Sequence, residues 1–242
     1  VAEFNGDGSL SNEIRVAGSD TESITQPEWS PDGDLFFVSD VSGWWNLTIW
    51  DGHSIQTFLE EELDHAEAAW QFGYSTYGFL NDGSLVLGAN SPDPATLRCF
   101  ETSGRELPRL RSEDSTIGYV KTVDQRVLYV GASPMSLPEI VSVHSVTGTR
   151  SVLKKSNDLE LDPDGISKPS AITFPTTDNA DAYAFYYPPR NSHVEAREEE
   201  KPPLLVITHG GPTGSAGPEL SLRIQFWTSR GFAVVDVNYR GS

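Results

Sequence analysis

Four residues near the end of the chain have the types and spacing for chemistry on a carbonyl group: His209-Gly210-Gly211-Pro212. They follow an apolar run, Leu204 to Thr208, that reads as a buried strand emptying into a tight turn at the margin of a sheet. Acyl transfer from an ester or amide builds negative charge on the carbonyl oxygen, and a backbone N–H aimed at that oxygen stabilises the transition state by roughly 3 kcal/mol. Glycines suit such a turn, because without a Cβ they let a carbonyl come close and let the backbone reach positive φ. The same tetrapeptide also makes an ordinary β-turn with a capping histidine, and by itself it leaves both readings open. For His209, hydrogen bonding that supports the turn is the expected role rather than proton transfer.

A hydrolase built on such a turn needs a serine on a G-x-S-x-G elbow, then an acid and a histidine. Gly73-Tyr74-Ser75-Thr76-Tyr77 lacks the closing glycine, and Thr213-Gly214-Ser215-Ala216-Gly217 lacks the opening one. No catalytic triad is therefore expected in this chain; nucleophile, acid and base are expected after Ser242. With Val1 rather than Met at its start, the sequence reads as an internal piece of a longer protein, inactive alone.

The other reactive side chains are scattered. His53, His65, His144 and His193 show no metal-ligand spacing with one another or with Cys99, so no metal site is expected. One cysteine excludes an intrachain disulfide and fits a reducing compartment. Trp44, Trp45 and Trp50 raise a sugar- or base-stacking reading, but aromatics at strand spacing are expected to pack between sheets. Trp29, Trp70 and Phe72 receive the same reading. Glu60-Glu61-Glu62 lies at a repeat boundary, and Glu198-Glu199-Glu200, within NSHVEAREEEKPP, reads as a solvated loop. Arg240 is expected to brace neighbouring loops rather than to bind a carboxylate.

The chain has 242 residues and a formal charge of −18, with Lys121, Lys154, Lys155, Lys168 and Lys201 its only lysines. That charge repels nucleic acid and anionic membranes, so neither is expected as a partner. A lysine-poor acidic surface suits high salt, although an ordinary acidic protein is the plainer explanation. No run approaches the eighteen or so apolar residues of a membrane helix, and no basic start precedes an apolar stretch; a cytoplasmic location is the expectation.

Positioning the glycine turn falls to the elements around it. After it, Leu220, Ile224, Phe226 and Trp227 predict a short helix closed by Gly231, and Phe232 to Val237 predicts a strand. Upstream, WSPDGDLFFVSD from 29, FLNDGSLVLGAN from 79 and TVDQRVLYVGAS from 122 each give a turn, an apolar strand and a polar exit, and a second hairpin follows each. Spacings of fifty and then roughly forty residues are those of four-stranded propeller blades. Blades are expected at about 22–62, 66–111 and 115–155, with residues 1–18 as the outer hairpin of an earlier blade. The predicted fold is thus mainly β, a partial β-propeller over 1–165.

PEWSPDGDLFFVSDVSGWWNL, WQFGYSTYGFL, HGGP and QFWTSRGFAVVDVNYRGS together resemble the prolyl oligopeptidase family of serine peptidases, closest to its acylaminoacyl-peptidase and dipeptidyl-peptidase-like branch. The resemblance runs over essentially the whole chain and implies a connection and first hydrolase hairpin over 166–190, then the start of an α/β-hydrolase catalytic domain over 191–242. It implies that Gly211, or else Gly210, supplies one oxyanion-hole N–H and that Glu67 is a propeller carboxylate facing the active-site cavity. It further implies hydrolysis of oligopeptides or release of N-terminal residues through an acyl-enzyme, with no cofactor. A peptide is the expected substrate, with the remaining blades and the remainder of the hydrolase domain as structural partners. The alternative is a non-catalytic propeller that binds partners and keeps a vestigial hydrolase segment. Because a repeat cannot bury both its faces alone, the isolated 242-residue chain is expected to unfold gradually at modest temperature. A cooperative, high-temperature calorimetric transition would contradict this.

Overall fold

A computed structural model describes residues 1–242 apart from 91–94, 195, 196, 198 and 212. Pro212 and Glu198, both singled out in the sequence, lie outside the described residues. Strands β1 (Glu3–Phe4) and β2 (Leu10–Ser11) form a small hairpin across the Asn5 to Gly8 turn. Three four-stranded antiparallel sheets follow, each a propeller-like blade with its strands in sequence order. The first contains β3 (Ile24–Trp29), β4 (Leu35–Ser39), β5 (Asn46–Trp50) and β6 (Ile55–Leu59). The second contains β7 (Tyr77–Phe79), β8 (Leu85–Ala89), β9 (Thr96–Phe100) and β10 (Glu106–Arg111). The third contains β11 (Thr116–Val123), β12 (Arg126–Ser133), β13 (Ser136–His144) and β14 (Arg150–Lys155).

The repeated turn has a repeated structure. In the first blade the Gly33 N–H donates to Ser30 O at 3.0 Å, and in the second the Gly83 N–H donates to Leu80 O at 2.9 Å. Both glycines sit at positive φ, +94° and +87°. The third blade replaces this turn with a shorter one through Asp124, also left-handed at φ 54°.

Apolar side chains on the second and third strands of each blade fill the seams between blades. Phe36, Val38 and Leu47 of the first blade meet Tyr77, Leu85, Leu87 and Phe100 of the second. Phe36 lies edge-on to Phe58 at 5.1 Å and to Phe79 at 5.0 Å. Val86, Leu97 and Cys99 of the second blade meet Ile117, Val120, Val127, Tyr129 and Val141 of the third. Every residue of β4 is buried; Phe36 and Val38 face the seam with the second blade, and Leu35 and Phe37 face the N-terminal segment around Val1 and Ile14. Each large apolar side chain so buried contributes about 1.5–3 kcal/mol. Cys99 is one of these packing groups, and burial pushes its thiol up to about 11.

A fourth sheet is of mixed direction. It contains β15 (Ser170–Pro175), β16 (Asp181–Tyr187), β17 (Leu204–Thr208) and β18 (Ala233–Asn238), in the order β15-β16-β18-β17. β17 and β18 run parallel, joined through α1 (Leu222–Thr228), whereas β16 pairs antiparallel with β18. Ile224 of α1 packs on Tyr187 and Val234. The helix ends with Phe232 N–H on Trp227 O and Gly231 N–H on Thr228 O, each at 3.2 Å, the paired bonds of a Schellman motif with Gly231 at C′. No helix among the described residues is long and apolar enough to cross a membrane.

At Gly88 the blade seam leaves no room for a side chain. A Cβ there would lie 2.9 Å from Ile117 Cγ2 and 3.1 Å from Val120 Cγ2, and these β-branched side chains have little rotamer freedom. Gly88→Ala is expected to lower unfolding free energy by about 1–3 kcal/mol, read from the denaturant midpoint, while Gly83→Asn in the exposed turn costs less.

Candidate active site

The glycine turn leaves the C-terminal end of β17, beside the C-terminal end of the parallel strand β18. Gly211 has φ +78°, a conformation that side-chain-bearing residues rarely adopt. A Cβ at Gly210 or Gly211 would meet nothing within 4 Å, so the space beside both residues is open. His209 stacks on Tyr239 with ring centroids 4.3 Å apart and planes 16° from parallel. The Tyr239 hydroxyl donates to Gly211 O at 2.8 Å. Ser242 Oγ donates to Tyr239 O at 2.5 Å and lies 2.7 Å from His209 Nε2. A hydroxyl has one proton, so Ser242 accepts from His209 Nε2–H, which assigns the histidine's tautomer. His209 thereby joins the turn to the segment after β18, chiefly by stacking; its only contact with the glycines is a 3.5 Å approach of Nδ1 to Gly210 O.

A cleft of about 660 Å³ opens between the blades and the fourth sheet. Glu67, Trp70, Tyr74 and Tyr119 line the blade side, and Ser215 to Glu219 line the other. Glu67 is exposed, yet the surrounding protein desolvates its carboxyl and raises it above the usual range. Glu219 Oε2 is buried and accepts no hydrogen bond from the described residues. Burial also raises Asp236 of β18, against the opposing pull of Arg223 and His209. Gly210 and Gly211 do not line this cleft. The two loops meet instead where Trp70 Nε1–H donates to Thr213 Oγ1 at 2.8 Å.

Several sequence expectations resolve differently. Trp70 and Phe72 do not pack between blades: Trp70 is 77% exposed and Phe72 fully exposed. They lie on the link between β6 and β7, outside any strand, so no pleat directs them into a seam. Trp45 does pack against the first seam, but Trp44 and Trp29 are exposed, and Trp29 tilts only against Trp50 of its own blade, at 6.4 Å. Glu61 is committed to structure. It accepts from Arg98 Nη1 at 2.7 Å and pairs with His65 Nε2 at 3.0 Å, while Arg98 also holds Glu106. Glu199 and Glu200 are exposed. Arg240 reaches only Asp178, at 3.8 Å, and both side chains are largely in solvent. Sequence reading missed Tyr239 and Glu219, whose contacts no local spacing announces.

Known structures share this arrangement. A puromycin-hydrolysing peptidase of Mycobacterium tuberculosis superposes with a TM-score of 0.88 and 29% identity, over 96% of this chain and 36% of that one. A puromycin hydrolase complexed with PGG gives 0.89 and 29%, over 98% and 36%. Prolyl oligopeptidase B of Galerina marginata shares the fold at 0.76 and 16% identity, over 100% of this chain and 34% of that one. These similarities to puromycin-hydrolysing peptidases and prolyl oligopeptidases support a prolyl oligopeptidase-family peptidase. No protein-family model matches the sequence, and no curated protein matches it. The chain spans 36% of the length of the puromycin-hydrolysing neighbours.

The Glu61–His65–Arg98 cluster makes the first blade seam sensitive to acid. Burial holds His65 below its ordinary value, with Glu61 only partly opposing. Burial would raise Glu61, but the hydrogen bond and charge of Arg98 outweigh it and the carboxyl sits low. As pH falls, the unfolded chain therefore binds a proton at each group before the folded chain does, and stability is lost. The urea midpoint is expected to drop steadily between about pH 7 and pH 5, with a flatter dependence in His65→Gln.

Proposed function

We propose that this chain is part of a serine peptidase. In this reading residues 1–165 contribute blades of a propeller, 166–190 the connection and first hairpin, and 191–242 the opening of an α/β-hydrolase catalytic domain. The observation that carries the reading is the β17–turn–α1–β18 unit. Parallel strands joined by a helix, with a left-handed glycine at the C-terminal end of the first, put backbone N–H groups where α/β enzymes do chemistry. The Gly211 N–H is the favoured oxyanion donor and Gly210 the second choice; His209 supports the turn. The nucleophilic serine, its histidine base and the orienting acid are supplied from outside these 242 residues, and the reaction passes through an acyl-enzyme.

Glu67 supports a peptide substrate with a free amino terminus. An unpaired carboxylate in a desolvating cleft attracts an ammonium group more strongly than one in water, and as pH falls through its raised range that attraction is lost. Charge complementarity and the names of the puromycin-hydrolysing neighbours agree with an aminoacyl or short peptidyl substrate.

The test is made on the full-length product that contains these residues. It is expected to react with a fluorophosphonate probe and to hydrolyse aminoacyl and peptidyl amides, whereas the 242-residue chain alone does neither. Gly211→Ala, which strains the turn and displaces the donor, is expected to lower kcat by about tenfold to hundredfold. Glu67→Gln is expected to raise KM for free-amino substrates while leaving N-blocked ones unchanged. A full-length product that neither labels nor hydrolyses would favour the non-catalytic binding propeller.

A further inference from the structure

We propose that Trp70 is a positioning residue for the glycine turn, holding it from the blade side through Thr213; its catalytic consequence rests on the oxyanion reading above. Trp70 and Thr213 are 143 residues apart in sequence, and their hydrogen bond joins the blade loop to the loop that continues from Gly211. Packing does not account for where the indole sits, since 77% of the residue is exposed. Its one directional contact is the N–H to Thr213.

Both ends of this contact are anchored. On the blade side, His65 N–H donates to Trp45 O at 2.8 Å, and Thr76 Oγ1 donates to His65 O at 2.6 Å. The Tyr119 hydroxyl donates to Gln71 Oε1 at 2.5 Å, next to Trp70, and Tyr119 lies edge-on to Tyr74 at 5.0 Å. Trp70 therefore projects from a loop tied down before and after it. On the turn side, Thr213 precedes Gly214, which packs back on the start of the turn. A Cβ at Gly214 would lie 3.0 Å from Gly210 O and 3.1 Å from His209 Nδ1. Displacing Thr213 thus presses on Gly210 and His209, and the glycine amides move with them.

Tyr239 and His209 hold the turn from the fourth sheet, and Trp70 holds it from the blades. With both in place the amides of Gly210 and Gly211 have one orientation. With the blade contact broken the turn keeps only its sheet-side anchor, so the donor geometry depends on the blades and the sheet staying together.

The experiment uses the full-length protein and the variants Trp70→Phe, which keeps a ring but has no N–H, Thr213→Val and Thr213→Ser. Hydrogen exchange by mass spectrometry on the peptide containing 208–215 is expected to quicken several-fold in Trp70→Phe and Thr213→Val and to return to the native rate in Thr213→Ser. On an aminoacyl amide, kcat is expected to fall about tenfold to hundredfold in the first two with KM changed less than twofold. The double variant is expected to be no worse than either single one. Unchanged exchange overturns the proposal, as does a rise in KM at constant kcat, which would make Trp70 a substrate contact, or losses that multiply. Quickened exchange in a protein whose native form hydrolyses no acyl substrate upholds the anchoring and removes the oxyanion reading instead.

Discussion

A four-stranded blade has two apolar faces and can cover neither by itself, and the structure depends on the packing that resolves this. Phe36 and Val38 are covered in part by their own sheet, where Phe58 lies edge-on to Phe36, and Tyr77, Leu85 and Phe100 of the next sheet supply the rest of the cover. The second seam repeats the solution with smaller aliphatic side chains around Tyr129. Tight approach at Gly88 is the geometric consequence, because the pleats of neighbouring blades interlock and leave no volume for a methyl group.

Polar groups that fall inside these seams are consumed by structure. Glu61, His65, Arg98 and Glu106 form a connected set. Asp114 is similarly enclosed, held by Arg150 and the Tyr129 hydroxyl. Breaking such a set would strand a buried charge, which is more costly than the net stabilisation the set provides. Glu67, on the same link as Glu61, differs because it faces the cleft rather than Arg98, and no described side chain neutralises it.

The glycine turn is held by contacts of three kinds: the stack of His209 on Tyr239, the Tyr239 hydroxyl on Gly211 O, and the Trp70 indole on Thr213. None of these is local in sequence. Left-handed backbone at Gly211 leaves the turn short of regular hydrogen bonding, and side chains brought from β18 and from the blade loop make up the difference.

Local signals by themselves determined the repeated strand hairpins, the helix ending at Gly231 and the strand–turn–helix–strand order around the glycines. Periodicity, turn residues and caps act over a few residues, so the sequence displays them directly. What only the tertiary structure decided was the fate of individual side chains. Trp45 packs in a seam while Trp70 stands in solvent, and Glu61 is neutralised by Arg98 while Glu67 is left free. Residue type is the same within each pair. The difference lies in which side chains from elsewhere in the chain each one meets, Arg98 for Glu61 and no described partner for Glu67, and that depends on contacts made dozens of residues away.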